Sequence, residues 1–397
     1  MANALVQDVA LTGNEAVAQA MRQVHPDVVA AYPITPQTEI VQIFSTFVAD
    51  GLVETEYVPV ESEHSAMSAT VGAAAAGARA MTATSANGLA LMWEVVNIAA
   101  GLRLPIVMPV VNRAISAPIN IHCDHSDSMG VRDAGWIQLF SENAQEAYDN
   151  LIQAVKIAED PACQLPVMVT MDGFIISHGM ENVSLLSDRE VEDFVGQRQP
   201  QYTLLDADNP TTVGALDLQD FYFEHRRQLA EAVFNADAIV AKVGAEFGQR
   251  FGRSYEFIET YQMDDAQLAI VVLGSTAGTT KHVVGQLRES GIKAGLVKIR
   301  MYRPFPVQAL REALAGVEAV AVLDRSDGLA AMGGPVFNDV RASLYSASQR
   351  PLLVNYIYGL GGRDINLDQI HWVYRELGRI REAGSVEREV NYLGVRE

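Results

Sequence analysis

The stretch VESEHSAMSATVGAAAAGARAMTATSANG, Val60 to Gly88, sets Glu61, Glu63 and His64 at the head of a segment built mostly of Ala, Ser, Thr, Gly and Met. A glutamate in the first turn of a helix ordinarily serves the helix dipole. A glutamate buried in a low-dielectric pocket does something else: it holds a proton or shares one with a ring nitrogen. Glu63 is the candidate for that chemistry, because the small residues after it allow a flat ligand or another backbone to come close. The residues alone leave both readings open. At the end of the same stretch TATSANG supplies hydroxyls and backbone donors, with Ser85 and Asn87 as candidate cofactor contacts, and it would serve equally as a helix cap.

Further loops carry candidate chemistry. In AAYPITPQTEI (Ala30–Ile40), Pro33 and Pro36 fix their own φ and disfavour helix at the residues before them. Thr35 therefore stands on a stiffened loop, with its hydroxyl at a strand's carboxyl end. The simpler alternative makes Thr35 or Thr38 the cap of the next helix. Arg113 ends the apolar run IVMPVVNR, where a guanidinium is costly unless it is paired. Its planar fork suits a substrate carboxylate, and an internal salt bridge would satisfy it as well. In HCDHSDS (His122–Ser128) the HxxH spacing is too common to define a metal site, and Asp124 and Ser126 are equally explained as caps; no protein-borne metal is expected.

The elements that must position these loops follow from the hydrophobic pattern. Val28–Ala31, Tyr57–Val60, Ala80–Thr84, Ile106–Asn112 and Val167–Asp172 read as buried strands. Asn14–Val24, Glu39–Ala49, Ser65–Gly77, Leu89–Ala99 and Ala144–Glu159 read as the helices between them. This βαβ alternation predicts a parallel sheet covered on both faces, with ligands beyond the carboxyl ends of its strands. Ser187–Leu216 has no sustained period and reads as a surface excursion, and Leu218–Phe251 as one or two long amphipathic helices, a bridge or an oligomer contact. From Leu268 a second α/β pattern begins, with strands at Leu268–Leu273, Gly295–Ile299, Ala319–Leu323 and Leu352–Tyr356. The expected fold class is therefore α/β with two parallel-sheet domains, 1–255 with the helical linker at its end, and 256–397. The glycines of VLDRSDGLAAMGGP and YGLGGRD match no dinucleotide or phosphate-loop fingerprint and read as interface turns.

Composition excludes several function classes. A formal net charge of −20 opposes binding to nucleic acid, which relies on clustered Lys and Arg. No stretch approaches a membrane span, and MANALVQDVALTG lacks a basic, then apolar leader, so a cytoplasmic protein is expected. The 2 cysteines, Cys123 and Cys163, cannot ligate an iron–sulfur cluster or build a thiolate zinc site on this chain alone.

Taken in order, YPITP (Tyr32–Pro36), ESEHSAMSATVGAAAAGARAMTATSANGLALM (Glu61–Met92), NRAISAPINIHCDHSD (Asn112–Asp127), MDGFIISH (Met171–His178), KIRMYRPFP, LDRSDGLAAMGGP and YGLGGRD resemble the blocks of one family over nearly the whole chain. It is that of the α subunits, or corresponding N-terminal domains, of pyruvate:ferredoxin and related 2-oxoacid:ferredoxin oxidoreductases. The resemblance implies a domain like the pyrimidine-binding domain of thiamine diphosphate enzymes, followed by one like the transketolase C-terminal domain. It makes Glu63 the acid that activates the aminopyrimidine, Thr35 and Arg113 the substrate contacts with His125 beside them, and Pro33, Ser85 and Asn87 cofactor neighbours. It implies oxidative decarboxylation of a 2-oxoacid with coenzyme A as co-substrate, run in either direction. No GDG…N pattern for Mg2+ and diphosphate occurs, so the family logic assigns Mg2+ and [4Fe-4S] clusters to partner chains: a β subunit that shares the thiamine diphosphate, a γ subunit, a ferredoxin-like δ subunit, and ferredoxin as electron carrier. The alternatives are a subunit specific for 2-oxoglutarate or branched-chain 2-oxoacids, and a non-catalytic assembly subunit.

Overall fold

Long apolar β-branched runs flanked by turn residues become the centres of two parallel sheets in the computed structural model, which describes residues 7–396. Residues 1–6 and 397, the outer ends of the expected domains and part of the stretch read for a leader, lie outside the described residues. The N-terminal half runs β1 (Gln7–Thr12), α1 (Gly13–Gln23), β2 (Val28–Ala31), α2 (Thr38–Ala49), β3 (Glu56–Pro59), α3 (Glu63–Ala75), β4 (Ala80–Met81), α4 (Ala86–Leu91), α5 (Trp93–Gly101), β5 (Val107–Asn112), α6 (Ser126–Gly130), β6 (Ile137–Phe140), α7 (Ala144–Glu159), β7 (Val167–Asp172), β8 (Met180–Leu185), α8 (Asp188–Val195) and α9 (Tyr222–Phe251). The C-terminal half runs β9 (Ile258–Tyr261), β10 (Leu268–Val272), α10 (Thr276–Glu289), β11 (Ala294–Ile299), β12 (Met301–Arg303), α11 (Val307–Ala313), β13 (Ala319–Asp324), α12 (Pro335–Leu344), β14 (Leu352–Tyr358), α13 (Leu367–Ala383) and β15 (Val390–Leu393).

The first sheet has the order β12-β6-β7-β5-β4-β2-β3, parallel except for the antiparallel edge strand β12. The second has the order β15-β14-β13-β10-β11-β9, parallel except for β9. Every residue of β5 and β7 is buried, as strands covered by helices on both faces require. The carboxyl ends of β2, β5 and β7 lead directly into the loops singled out above, and that of β3 into the head of α3.

Several elements differ from the sequence expectation. Asp188–Val195 is a helix inside the expected excursion, started by a capping box between Ser187 and Glu190. The expected strand Ala80–Thr84 pairs as a strand only at Ala80–Met81, with one bridge from Thr84 to Val110, because the chain turns there toward the site. Leu89–Ala99 splits at Met92 into α4 and α5. Strands β1 and β8, which pair only with each other, and β6 lack the length or apolar run that would announce them. The expected linker is one 30-residue helix whose Ala232, Ala236, Val240, Val243 and Phe247 form a buried stripe at helical spacing. That stripe belongs to the N-terminal core, and Phe247 is fully buried, so its truncation to Ala would cost about 3–5 kcal/mol.

The halves are not independent. β12 comes from the C-terminal half of the chain yet completes the first sheet. Beside it, Arg300, 2% exposed, donates through Nε to Asn150 Oδ1 (2.7 Å) and through Nη2 to Gln153 Oε1 (3.1 Å), while its carbonyl accepts from Phe140 N. Lys298 lies 2.8 Å from Glu142 and 3.2 Å from Glu146. Burial opposes its charge, but Glu146, Glu142 and Glu259 hold its ammonium above the usual lysine range. Removing one partner of such a pair strands a buried charge, at about 3–5 kcal/mol.

Candidate active site

Glu63 occupies the first turn of α3, whose cap is Ser62: the Ser62 hydroxyl accepts from Ser65 N. The two acids of the ESE triplet then diverge. Glu61 is exposed and its carboxylate accepts from the Ser65 hydroxyl, which lowers its pKa. Glu63 is 7% exposed and accepts no hydrogen bond among the described residues. Facing it is Gly88 of α4: a Cβ there would stand 2.8 Å from Glu63 Oε1, 2.9 Å from Glu63 Cγ and 2.6 Å from Thr84 Oγ1. The hydroxyls of Thr84 and Ser85 are buried without partners. An uncommitted buried carboxylate and orphaned hydroxyls behind a helix of small residues fit a polar, flat group such as an aminopyrimidine ring.

Arg113, 8% exposed, follows β5. Its Nε donates to the Asn120 carbonyl (3.0 Å) and its Nη1 to the Thr35 carbonyl (2.9 Å). Its Nη2 makes no hydrogen bond, and the guanidinium forms no ion pair with a carboxylate among the described residues. The internal salt bridge that would have satisfied it is therefore absent among those residues. A guanidinium held by main-chain carbonyls keeps its positive charge unneutralised, which is what an anionic ligand requires. Thr35 is exposed beside it, as is Pro33, and Thr35 is not a helix cap: α2 starts after Gln37 with no side-chain cap bond. Asn87 is exposed, and its Oδ1 accepts from Ser116 N (3.2 Å).

Asp127 joins these loops, and the sequence reading did not single it out. Its Oδ2 accepts from the amides of both Ala86 (3.0 Å) and Arg113 (2.9 Å), and its Oδ1 from Asn112 Nδ2 (2.8 Å) and Ser128 N (2.7 Å). Burial with no cation beside it pushes the carboxyl up to about 6, against the pull of those donors. Thr35, Arg113, Asp127, Ala86, Gly88 and Glu63 thus form one connected chain of contacts.

His125 is buried in the same loop. It is 1% exposed, and its Nε2 is 2.7 Å from Asp172 Oδ1. Asp172 also accepts from Ser275 N (3.0 Å) and Oγ (2.5 Å), with Arg325 Nη1 at 3.7 Å. Burial alone would raise this carboxyl, but Arg325 and His125 hold it well below the usual carboxylate range. Cys123 Sγ, His125 Nε2 and an Asp172 oxygen lie within 4.8 Å of one another, yet Asp172 is already engaged by cations and donors of both halves of the chain. The structure therefore buries His125 in a cluster with residues of both halves of the chain, two residues from the Asp127 that accepts from Arg113 N. His122 diverges from it, exposed and packed against the Phe174 ring at 5.0 Å. A carboxylate that ends a buried, mostly apolar strand, as Asp172 ends VMVTMD, was the legible sign of this cluster.

The comparisons agree with this fold. Residues 19–245 match the family model of the thiamine diphosphate-binding domain of pyruvate flavodoxin/ferredoxin oxidoreductase, and residues 266–370 that of pyruvate:ferredoxin oxidoreductase core domain II. The chain belongs to this oxidoreductase family. It is 57% identical over 393 residues to pyruvate synthase subunit PorA of Thermotoga maritima, covering 99% of each chain. It is 44% identical over 383 residues to ketoisovalerate oxidoreductase subunit VorA of Pyrococcus abyssi, covering 96% of each. Among solved structures, 2-oxoglutarate:ferredoxin oxidoreductase from Magnetococcus marinus, with 2-oxoglutarate, coenzyme A and succinyl-CoA bound, superposes with TM-score 0.72 at 20% identity. That alignment covers 93% of this chain and 65% of the solved one. A split-gene transketolase, an inactive β4 tetramer, superposes with TM-score 0.56 at 13% identity over 94% of this chain and 100% of its own, a likeness of fold alone. Among the described residues no helix is long and apolar enough to cross a membrane.

Proposed function

We propose that this chain is the α subunit of a hetero-oligomeric, thiamine diphosphate-dependent pyruvate:ferredoxin oxidoreductase, or pyruvate synthase. The reaction joins pyruvate, coenzyme A and oxidised ferredoxin to acetyl-CoA, carbon dioxide and reduced ferredoxin, reversibly. The observation that carries the reading is the unneutralised Arg113 fork linked through Asp127 to the start of helix α4, which faces the uncommitted Glu63, in a chain whose 57%-identical relative is a pyruvate synthase subunit. When bound, thiamine diphosphate supplies the carbon nucleophile that adds to the 2-oxo group and accepts the electrons left by decarboxylation.

The residues of this chain do the rest of their share as follows. Glu63 holds a proton at the pyrimidine ring nitrogen, where no protein donor competes for its carboxylate. Arg113 Nη2 donates to the substrate carboxylate and orients it, and the Thr35 hydroxyl, exposed on the adjoining loop, hydrogen-bonds the substrate. Pro33, Ser85 and Asn87 border the cofactor face. His125, two residues before Asp127 in the same loop, is assigned to the substrate side of the site. Mg2+, the diphosphate site and the [4Fe-4S] clusters belong to a β subunit and to γ and ferredoxin-like δ subunits.

A second reading keeps the mechanism and changes the substrate to a branched 2-oxoacid, since a ketoisovalerate oxidoreductase subunit is also 44% identical. The test is reduction of a viologen dye by the anaerobically purified complex, with coenzyme A and thiamine diphosphate, on pyruvate, ketoisovalerate and 2-oxoglutarate in parallel. Preference for pyruvate is expected. Preference for another 2-oxoacid moves the substrate, and silence with all of them removes the catalytic reading.

A further inference from the structure

The carbonyl that receives Arg113 Nε belongs to Asn120, on a segment with no regular secondary structure between β5 and α6 whose neighbours Ala117, Pro118 and Ile119 are exposed. Such a segment fixes a carbonyl only where it is tied down, and its ties lead to the C-terminal half of the chain. Asn120 Nδ2 donates to the Gly361 carbonyl (3.0 Å), Gly362 N to the Cys123 carbonyl (2.6 Å), Gly361 N to Asp124 Oδ2 (3.4 Å), and His125 N to the Arg325 carbonyl (2.8 Å). Asn120 also organises its own loop: its Oδ1 accepts from His122 N (2.7 Å).

The turn that meets this segment is shaped for it. Gly359, Gly361 and Gly362 have φ of +63°, +61° and +78°, a region that strongly favours glycine. Contact adds a second requirement. A Cβ on Gly361 would stand 2.5 Å from Asn120 Nδ2, and one on Gly362 would stand 2.3 Å from His122 Cβ. The backbone of the C-terminal half is thus pressed directly against Asn120, which holds Arg113, and against His122 beside it.

We propose that the Gly359–Gly362 turn is a positioning element for the reaction, acting through Asn120 to set the carbonyl that aims the Arg113 guanidinium at the substrate carboxylate. Asn120 and Gly361 are then positioning residues, and the C-terminal domain contributes to substrate recognition without touching substrate. This rests on the reading of Arg113 given under Proposed function.

The test compares Asn120→Ala, Gly361→Ala, Arg113→Ala and the Asn120→Ala/Arg113→Ala double variant in the assembled complex, by viologen reduction. Asn120→Ala deletes one amide but keeps the main-chain carbonyl, so folding is spared even where Gly361→Ala disturbs the turn. It removes the side-chain hydrogen bonds to the Gly361 carbonyl and from His122 N, of which the one to Gly361 ties the loop to the turn, and is expected to raise KM for the 2-oxoacid about tenfold, with KM for coenzyme A and the melting temperature unmoved. Because Asn120 acts through Arg113, the double variant should be no worse than Arg113→Ala alone. An unchanged KM in Asn120→Ala, or losses that multiply in the double variant, would overturn the proposal. Should Arg113→Ala itself leave KM for the 2-oxoacid unchanged, the reading of Arg113 falls instead, so the two failures are distinguishable.

Discussion

Gly88→Ala isolates the fit between α4 and Glu63. Gly88 lies inside a helix at ordinary negative φ, so the backbone itself favours alanine there by about 1 kcal/mol. The new Cβ, however, would stand 2.8 Å from Glu63 Oε1 and 2.9 Å from Glu63 Cγ, where ordinary contact begins near 3.4 Å. Glu63 must retreat by roughly half an ångström, and Thr84, whose Oγ1 is at 2.6 Å, blocks the opposite adjustment. Overpacking of this kind costs about 1–3 kcal/mol, largely offset here by the helix term, so the complex should melt within a few degrees of the parent. Activity should not be spared. Misplacement of a reacting group by about 1 Å can cost 100-fold, so half that displacement predicts a fall in kcat of about tenfold, with KM for the 2-oxoacid little changed. Viologen reduction at saturating thiamine diphosphate reads this, with calorimetry of the same sample as control. A kcat within twofold of the parent, in a complex that melts normally, would show that catalysis does not depend on where this carboxylate sits.

Other perturbations separate the roles assigned to the site. Glu63→Gln keeps shape and removes the proton, so kcat should fall by about 100- to 10,000-fold with assembly intact on size exclusion; near-normal turnover would take Glu63 out of the mechanism. Arg113→Ala should weaken kcat/KM for the 2-oxoacid by about 2–5 kcal/mol and leave KM for coenzyme A unmoved, and Arg113→Lys should recover only part, because an ammonium cannot reach both carbonyls and the ligand; equal losses for both substrates would point to a structural role. Asp127 binds its proton more tightly in the fold, at about 6, than at its ordinary 3.8, so its contribution to stability falls as pH rises between those values and is flat above. Asp127→Asn abolishes that slope: relative to the parent, its melting temperature should rise between pH 5 and pH 7.5, and a pH-independent difference would count against the buried, cation-free carboxylate.

Much of this protein was legible before any fold was known. The apolar strands β2, β5, β7, β10 and β13 announce themselves because a strand buried on both faces is a nearly continuous apolar run, and the glycine- and proline-rich turns at their carboxyl ends mark where ligands can sit. Short or half-exposed strands such as β8 and β12 carry no such signal, since their pairing is decided by what lies beside them. The same division runs through the site. Glu63, Thr35 and Arg113 stood out by residue type at strand ends. Whether Arg113 met a carboxylate, whether Glu61 or Glu63 was the uncommitted acid, and which way His122 and His125 turned were settled only by neighbours far away in sequence.

Asp127 shows the reason most plainly. In the sequence it is one polar residue among several in HCDHSDS. In the fold it accepts from Ala86, 41 residues away, and from Arg113, and so fixes the two halves of the site together. The sequence by itself determined the strands, the loops and the kinds of side chain they carry, because these depend on local pattern. Only the tertiary structure decided which of those side chains were paired and which were left free to act, because pairing depends on distances that the chain closes only when it folds.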